Sequence, residues 1–159
     1  MSKMADPHEG LLSFQRAYKA GVISPRACSI HRDLLVMMDD ADGTTRLTYA
    51  LIDLARKVKA IVVYLPADPH DGKHCFQVGY AVSAPLRNEG IATEALVKSI
   101  DEMRRGFMPH MGEFYIEAVV SELNTASLKV ASKIISSTPS KIVDEASGEP
   151  ALQFFRLIK

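Results

Sequence analysis

Apolar positions along the chain change period several times, and the changes mark out a mixed set of helices and strands. Leu11, Leu12, Phe14, Ala17, Tyr18 and Val22 recur at helical spacing from Gly10 onward, and Gly21 and Pro25 end that helix. Asp33–Met38 reads as a strand, the acidic run Asp39–Gly43 as a turn, and Thr44–Ile52 as the returning strand of a hairpin. Lys59–Leu65 is the densest β-branched run, and Pro66, Pro69, Asp71 and Gly72 predict a loop after it. From Cys75 to Ser83 the pattern alternates, with Phe76, Val78, Tyr80 and Val82 on one face and Gln77, Gly79, Ala81 and Ser83 on the other. The second face is small enough for something to approach the backbone.

Ile91, Ala95, Leu96, Ile100 and Met103 form the apolar stripe of a helix from Ile91 to about Arg105, closed by Arg104, Arg105 and Gly106. Phe114–Ser121 is a further strand. Asn124 caps a helix from Thr125 to about Ile135, with Leu128, Ala131, Ile134 and Ile135 apolar. Two short strands, Lys141–Asp144 and Leu152–Ile158, flank the segment 145–150. Residues 1–9 are polar and contain Pro7, which predicts a loose lead-in before one domain at 10–159. There is no repeat and no linker. The elements sum to an α/β (α+β) chain with a mostly antiparallel sheet.

Composition narrows the function classes. The 159 residues carry 19 basic and 19 acidic side chains, a formal charge of zero, with 47% apolar and 24% charged residues. Such a chain can bury a core and is not globally disordered. A sequence pI near 7.0 argues against a nucleic-acid or anionic-membrane binder. Cys28 and Cys75 make neither a disulfide framework nor a CxxC pair, and no apolar run approaches the roughly 20 residues of a membrane helix. The N-terminus lacks the apolar core of a signal peptide, so the expected compartment is the cytoplasm. His70, Asp71, His74 and Cys75 lie together, but Pro69 and Gly72 put them on a loop, where four-residue spacing shares no face. Asp39, Asp40 and Asp42 read as a solvated turn. No metal is expected.

The chemistry concentrates in Val78–Leu96, where a strand runs into the loop Arg87-Asn-Glu-Gly-Ile-Ala92 and the loop into a helix. The first helix amides lack intrahelical partners and the macrodipole makes that end positive. Gly90 permits φ > 0 and close approach, Ala92 adds almost no bulk, and Arg87 supplies a cation. Together they make an anion cradle suited to a diphosphate. A string of this type arises by chance in roughly one chain in ten, so alone it is a helix-start turn; the flanking strand and amphipathic helix are what favour phosphate. It is neither a Walker A loop nor a GxGxxG.

This stretch resembles the GCN5-related N-acetyltransferase (GNAT) family, in particular the branch that acetylates the N-termini of ribosomal proteins. The resemblance runs through Val78–Leu96, including Gly79-Tyr80 and Thr93-Glu94-Ala95-Leu96, and resumes at Ile116–Leu128 with Asn124-x-x-Ser127. The two blocks cover about a third of the chain. The resemblance implies a GNAT-like acyl-CoA N-acyltransferase fold, with the sheet splayed between the strands at 75–83 and 114–121 and acetyl-CoA in the wedge. It implies a cofactor-binding set of Ala81, Val82 and Ser83 along the pantetheine arm, Arg87, Asn88, Glu89, Gly90, Ile91, Ala92 and Thr93 at the pyrophosphate, and Asn124 near the thioester. Two departures stand out. Relatives carry a proton-donating tyrosine after the Asn-x-x-Ser motif, whereas the tyrosines here are at 18, 49, 64, 80 and 115. Relatives also show Gly-Phe after that helix, where this chain has Ser136-Ser-Thr-Pro139.

The reaction so implied is direct attack of a neutral amine on the thioester of acetyl-CoA, a small-molecule acetyl donor. Deprotonating a lysine at pH 7 costs roughly 4.6 kcal/mol and an α-amine about 1. Glu117, on the strand facing the wedge, is the candidate base through water. Ser127 is the candidate donor to the leaving thiolate. Each has a bland counterpart: a carboxylate on a solvated strand, and a serine bonding a free helix amide. The acceptor could be a protein N-terminus or a small polyamine or amino compound, and a homodimer is compatible with the sequence. A non-catalytic acyl-CoA-binding sensory domain is the alternative in view of the missing tyrosine. A nucleotide-phosphate protein is disfavoured, because no lysine or magnesium-binding hydroxyl accompanies the loop.

Overall fold

Alternating apolar residues and two-residue turns build most of the sheet. The computed structural model describes residues 7–159. Its strands are β1 (Arg26–Ala27), β2 (Leu34–Ala41), β3 (Thr44–Ile52), β4 (Val58–His70), β5 (Lys73–Val82), β6 (Phe114–Ser121), β7 (Ser140–Val143) and β8 (Pro150–Ile158). They form one eight-stranded sheet in the order β1-β2-β3-β4-β5-β6-β8-β7. Every neighbouring pair is antiparallel except β5–β6.

Helix α1 (Pro7–Lys19) covers one face, and α2 (Ile91–Met111) and α3 (Thr125–Ile134) cover the other. The pleat sorts neighbouring residues between the two layers. Leu35, Ile52 and Ile61 join Leu11 and Phe14 of α1, whereas Leu34, Leu51 and Ala60 join Leu96, Ile100 and Met103 of α2.

Four boundaries depart from the sequence expectation, each for a local reason. β2 continues through the acidic run to Ala41, where Asp39 faces Arg46 across the hairpin with Nη2–Oδ2 at 2.6 Å. Only Asp42 and Gly43, at φ 52° and 83°, make the turn. β4 runs through Pro66 and Pro69 to His70 in place of the expected loop. Its pairing with β3 stops at Tyr64, so beyond that point the strand has one neighbour and tolerates proline. Asp71 and Gly72, at φ 48° and 73°, turn it into β5.

α2 extends past Gly106 to Met111, because Phe107, Met108 and Met111 still have core to cover, and Gly112 closes it at φ 73°. Pro109 sits in the last turn, where it takes one donor from the helical ladder shortly before Gly112 ends it. α1 starts at Pro7, inside the expected lead-in, with proline in the favoured first turn. The two-residue β1 was not expected at all.

One join positions everything that follows. β5 and β6 pair only at Cys75↔Tyr115, Phe76↔Ile116 and Gln77↔Glu117. β5 then runs on to Val82 and β6 to Ser121 without meeting. The sheet opens where the sequence resemblance places the splay.

Candidate functional site

The mouth of the opening is built by the segment after β5. The Ser83 amide donates to the Lys59 carbonyl at 2.8 Å, and a 3₁₀ turn at Ala84–Leu86 redirects the chain. Asn88 and Gly90 both take left-handed backbone, at φ 66° and 75°. Gly90 caps α2 with no side-chain hydrogen bond, and the first intrahelical bond is Glu94 N to Gly90 O at 3.1 Å. The amides of Ile91, Ala92 and Thr93 therefore precede the helical ladder at its positive end. A Cβ built on Gly90 meets no protein atom within 4 Å, so space lies open beside the cap.

Arg87, Asn88 and Glu89 are exposed, whereas Ile91 is buried in the core and offers a ligand only its backbone. Arg87 lies beside His8, with Nη2 at 3.3 Å from Nδ1. The resemblance implies that this guanidinium reads phosphate, and its removal is the test. Arg87→Ala should weaken CoA binding several-fold more than binding of a phosphate-free pantetheine analogue. Calorimetry with both ligands checks this, and equal losses would refute the placement.

Along the opening, Ala81 and Val82 pair with Ile61 and Ala60 of β4, while their β6 side has no strand partner. Their backbone is thus available to a ligand lying along β5. The small face of this strand has a different purpose from the one read off the sequence. Ala81 packs in the α1 cluster, and a Cβ on Gly79 would stand 3.3 Å from Pro7 Cγ. The small side chains admit helix α1.

α3 closes the far side. Asn124 Oδ1 accepts from Ser127 N at 3.1 Å, an N-cap that leaves the Asn124 amide nitrogen as a donor. Ser127 is half-buried in the first turn of the helix. Tyr80, read from the sequence only as a bulky core position, reaches from the unpaired part of β5 to α3 and donates to the Ser127 carbonyl at 2.8 Å. Burial raises its phenol well above the ordinary tyrosine range, so it stays a protonated strut between the two sides.

Glu117 belongs to the last parallel pair, on the face opposite α2 and α3. Its Oε2 accepts from Gln153 Nε2 of β8 at 2.5 Å. It lines an open groove of about 520 Å³ formed by the end of β4, by β6, β7 and β8. Over one wall, His70 stacks on Phe155 with ring centroids 3.8 Å apart and meets Tyr115 edge-on at 4.6 Å. His70 thus lies at the end of a strand, packed on aromatic rings, in place of the expected loop. Among the described residues no group of three His, Cys, Asp or Glu side chains could hold a metal ion.

Gln153 and Phe155 were invisible as site residues in the sequence, since they come from a distant strand and share no motif, and His70 stood out there only as a member of a discounted metal cluster. Both cysteines are free and buried. Burial, reinforced by the nearby Glu117 charge, pushes the Cys75 thiol up to about 11, which opposes a thiolate acyl carrier at neutral pH.

No protein-family model matches the chain, and no curated protein matches it in sequence. Solved structures do match. A GNAT-family acetyltransferase from Streptococcus pneumoniae superposes with a TM-score of 0.54 at 13% identity, over 99% of this chain and 98% of the other. A ribosomal-protein-S5-alanine acetyltransferase from Vibrio fischeri gives 0.53 at 17% identity, over 94% and 69%. A ribosomal α-N-protein acetyltransferase solved with coenzyme A gives 0.54 at 15% identity, over 71% of this chain and 62% of that one. At such identities the likeness is one of architecture. The chain has the GNAT acyl-CoA N-acyltransferase fold, and no helix among its described residues is long and apolar enough to cross a membrane.

Proposed function

We propose that the protein is an acetyl-CoA-dependent N-acetyltransferase acting on a primary amine. The observation that carries this reading is the opening of the sheet after Gln77↔Glu117, with a glycine-capped helix N-terminus at its mouth and a carboxylate at its apex. The coenzyme A bound in the ribosomal α-N-protein acetyltransferase of the same fold supports the choice of donor.

The backbone amides at 91–93 and the Arg87 guanidinium hold the diphosphate. The free edge of Ala81–Ser83 pairs with the pantetheine arm, and the Asn124 amide orients the thioester end. Thr93 and Ala92, half-buried in the first turn, keep the cradle narrow.

An amine entering from the Glu117 face arrives on the side of the sheet away from α2 and α3. Glu117 takes the ammonium proton through water, so that the free amine attacks the thioester carbon. The C–N bond forms and the C–S bond breaks. The nitrogen gives up its second proton to water, and the thiolate takes a proton from water directly or through Ser127, which water reprotonates, leaving N-acetylamine and CoA thiol. Tyr80 is no substitute for the missing tyrosine, because a phenol raised so far above a thiol in pKa is a poor acid toward the thiolate.

Thiol release across a panel of amines tests the activity. Acetyl-CoA binding without turnover would instead identify an acyl-CoA-binding sensory domain. Ser127→Ala should lower kcat about tenfold with little change in acetyl-CoA affinity, because a donor matters as charge develops on sulfur. A normal kcat accompanied by a small loss of stability would make Ser127 structural and leave water as the proton source.

A further inference from the structure

We infer that Tyr80 sets the length of the acyl group: its bond to α3 keeps the wedge narrow enough for acetyl and shuts out longer acyl donors. The inference rests on the acetyltransferase reading and goes further by assigning the residue that determines donor specificity.

Tyr80 lies on β5 beyond its last pair with β6, where the sheet has already opened. Its side chain packs on the α2–α3 side, is 9% exposed, and its hydroxyl donates to the Ser127 carbonyl at 2.8 Å. The Ser127 amide is held in turn by Asn124 Oδ1 at 3.1 Å. Ser127 is thus fixed at both backbone groups, one through the helix cap and the other from the facing strand. At its far end α3 is tied to the other half of the sheet, where Arg156 Nη1 of β8 donates to the Ile134 carbonyl at 2.9 Å. The helix bridges the opening, and Tyr80 pins its first turn to β5.

In the proposed reaction the acyl carbon is bonded to the sulfur that Ser127 serves, so the acyl chain lies close to that first turn. Beneath the turn the space is filled. Val78 of β5, Ala118 and Val120 of β6 and Ala131 of α3 are buried in one cluster with Tyr80. Two further methylenes need α3 to move away from β5, or the Tyr80 ring to leave its place. Either movement breaks the bond to Ser127 and leaves a buried phenol without its acceptor. The hydroxyl therefore opposes both ways of widening the wedge. Acetyl needs neither. An apolar pocket separates substrates that differ by one methylene about 10–200-fold, and a tethered wall keeps that discrimination from being lost to movement.

Tyr80→Phe tests this, because it keeps the ring and removes only the hydroxyl. In the wild type, kcat/KM with acetyl-CoA should exceed that with butyryl-CoA about a hundredfold, with propionyl-CoA between. The variant should narrow that ratio about fivefold, the effect of one hydrogen bond, through improved use of butyryl-CoA. Tyr80→Leu, which also shortens the side chain, should narrow it further. Calorimetry with the three donors should give the same order without an acceptor. A hydroxyl that only stabilises the fold would lower the melting temperature and slow all donors equally. That result overturns the inference, as does a wild type that uses butyryl-CoA as well as acetyl-CoA. Absent acetyl-CoA binding defeats the transferase reading, whereas acetyl transfer with unchanged donor selectivity in a folded variant defeats this proposal alone.

Discussion

Replacing Glu117 by glutamine should cut acetyl transfer to an amine about a hundredfold at neutral pH while leaving acetyl-CoA affinity unchanged. The substitution is nearly isosteric. The Gln153 amide that now donates to Glu117 Oε2 would still find a carbonyl acceptor, so packing at the apex survives. What disappears is the ability to take a proton. Because the barrier removed by a base is the deprotonation of the acceptor, the gap between variant and wild type should narrow as pH rises toward the pKa of the amine. A pH–rate series with one alkylamine reads both features. A constant gap across pH would mean that Glu117 orients the acceptor without taking its proton. A variant as active as wild type would make Glu117 a solvated strand residue.

Gly90→Val should weaken acetyl-CoA binding more than tenfold, a change of about 1.4 kcal/mol or greater. Gly90 sits at φ 75°, where a side chain costs roughly 1–2 kcal/mol, least for asparagine and most for a β-branched residue. The new Cβ touches nothing in the protein itself, so any further loss falls on what occupies the space beside the helix amides. Gly90→Asn separates the two causes, since it tolerates the backbone yet still fills the space. If both variants bind acetyl-CoA like wild type while remaining folded, the cofactor does not lie at this cap.

The regular strands were legible because alternation reports a half-buried sheet directly, as in Phe114–Ser121, where every second residue is buried. Prolines and glycines misled where tertiary context decides. Pro66 stops a strand only if the donor it lacks is needed, and the pairing of β4 with β3 has already stopped there. Gly106 ends a helix only if nothing beyond it has a core to cover, and Phe107 packs against Phe76 and Phe114. The loop, glycine cap and start of α2 were readable because they are contiguous. The small face of β5 was read correctly as an invitation to close approach, but its guest is α1. The groove was unreadable for the opposite reason. Its wall joins residue 70 to residue 155, and its charges come from segments near 68, 117 and 144, which no local motif connects.

The seam between β5 and β6 has a mechanical meaning. Only three residue pairs stitch the β1–β5 leaf to the β6–β8 leaf within the sheet, against eight pairs between β6 and β8. Beyond the stitch the leaves are braced through α2, α3 and the Tyr80 strut, by side-chain contacts that yield more readily than a strand ladder. The molecule is thus built like a book held at a short length of spine. Anything lodged between the covers becomes a second binding of the two halves, and its departure returns their relative stiffness to that short length.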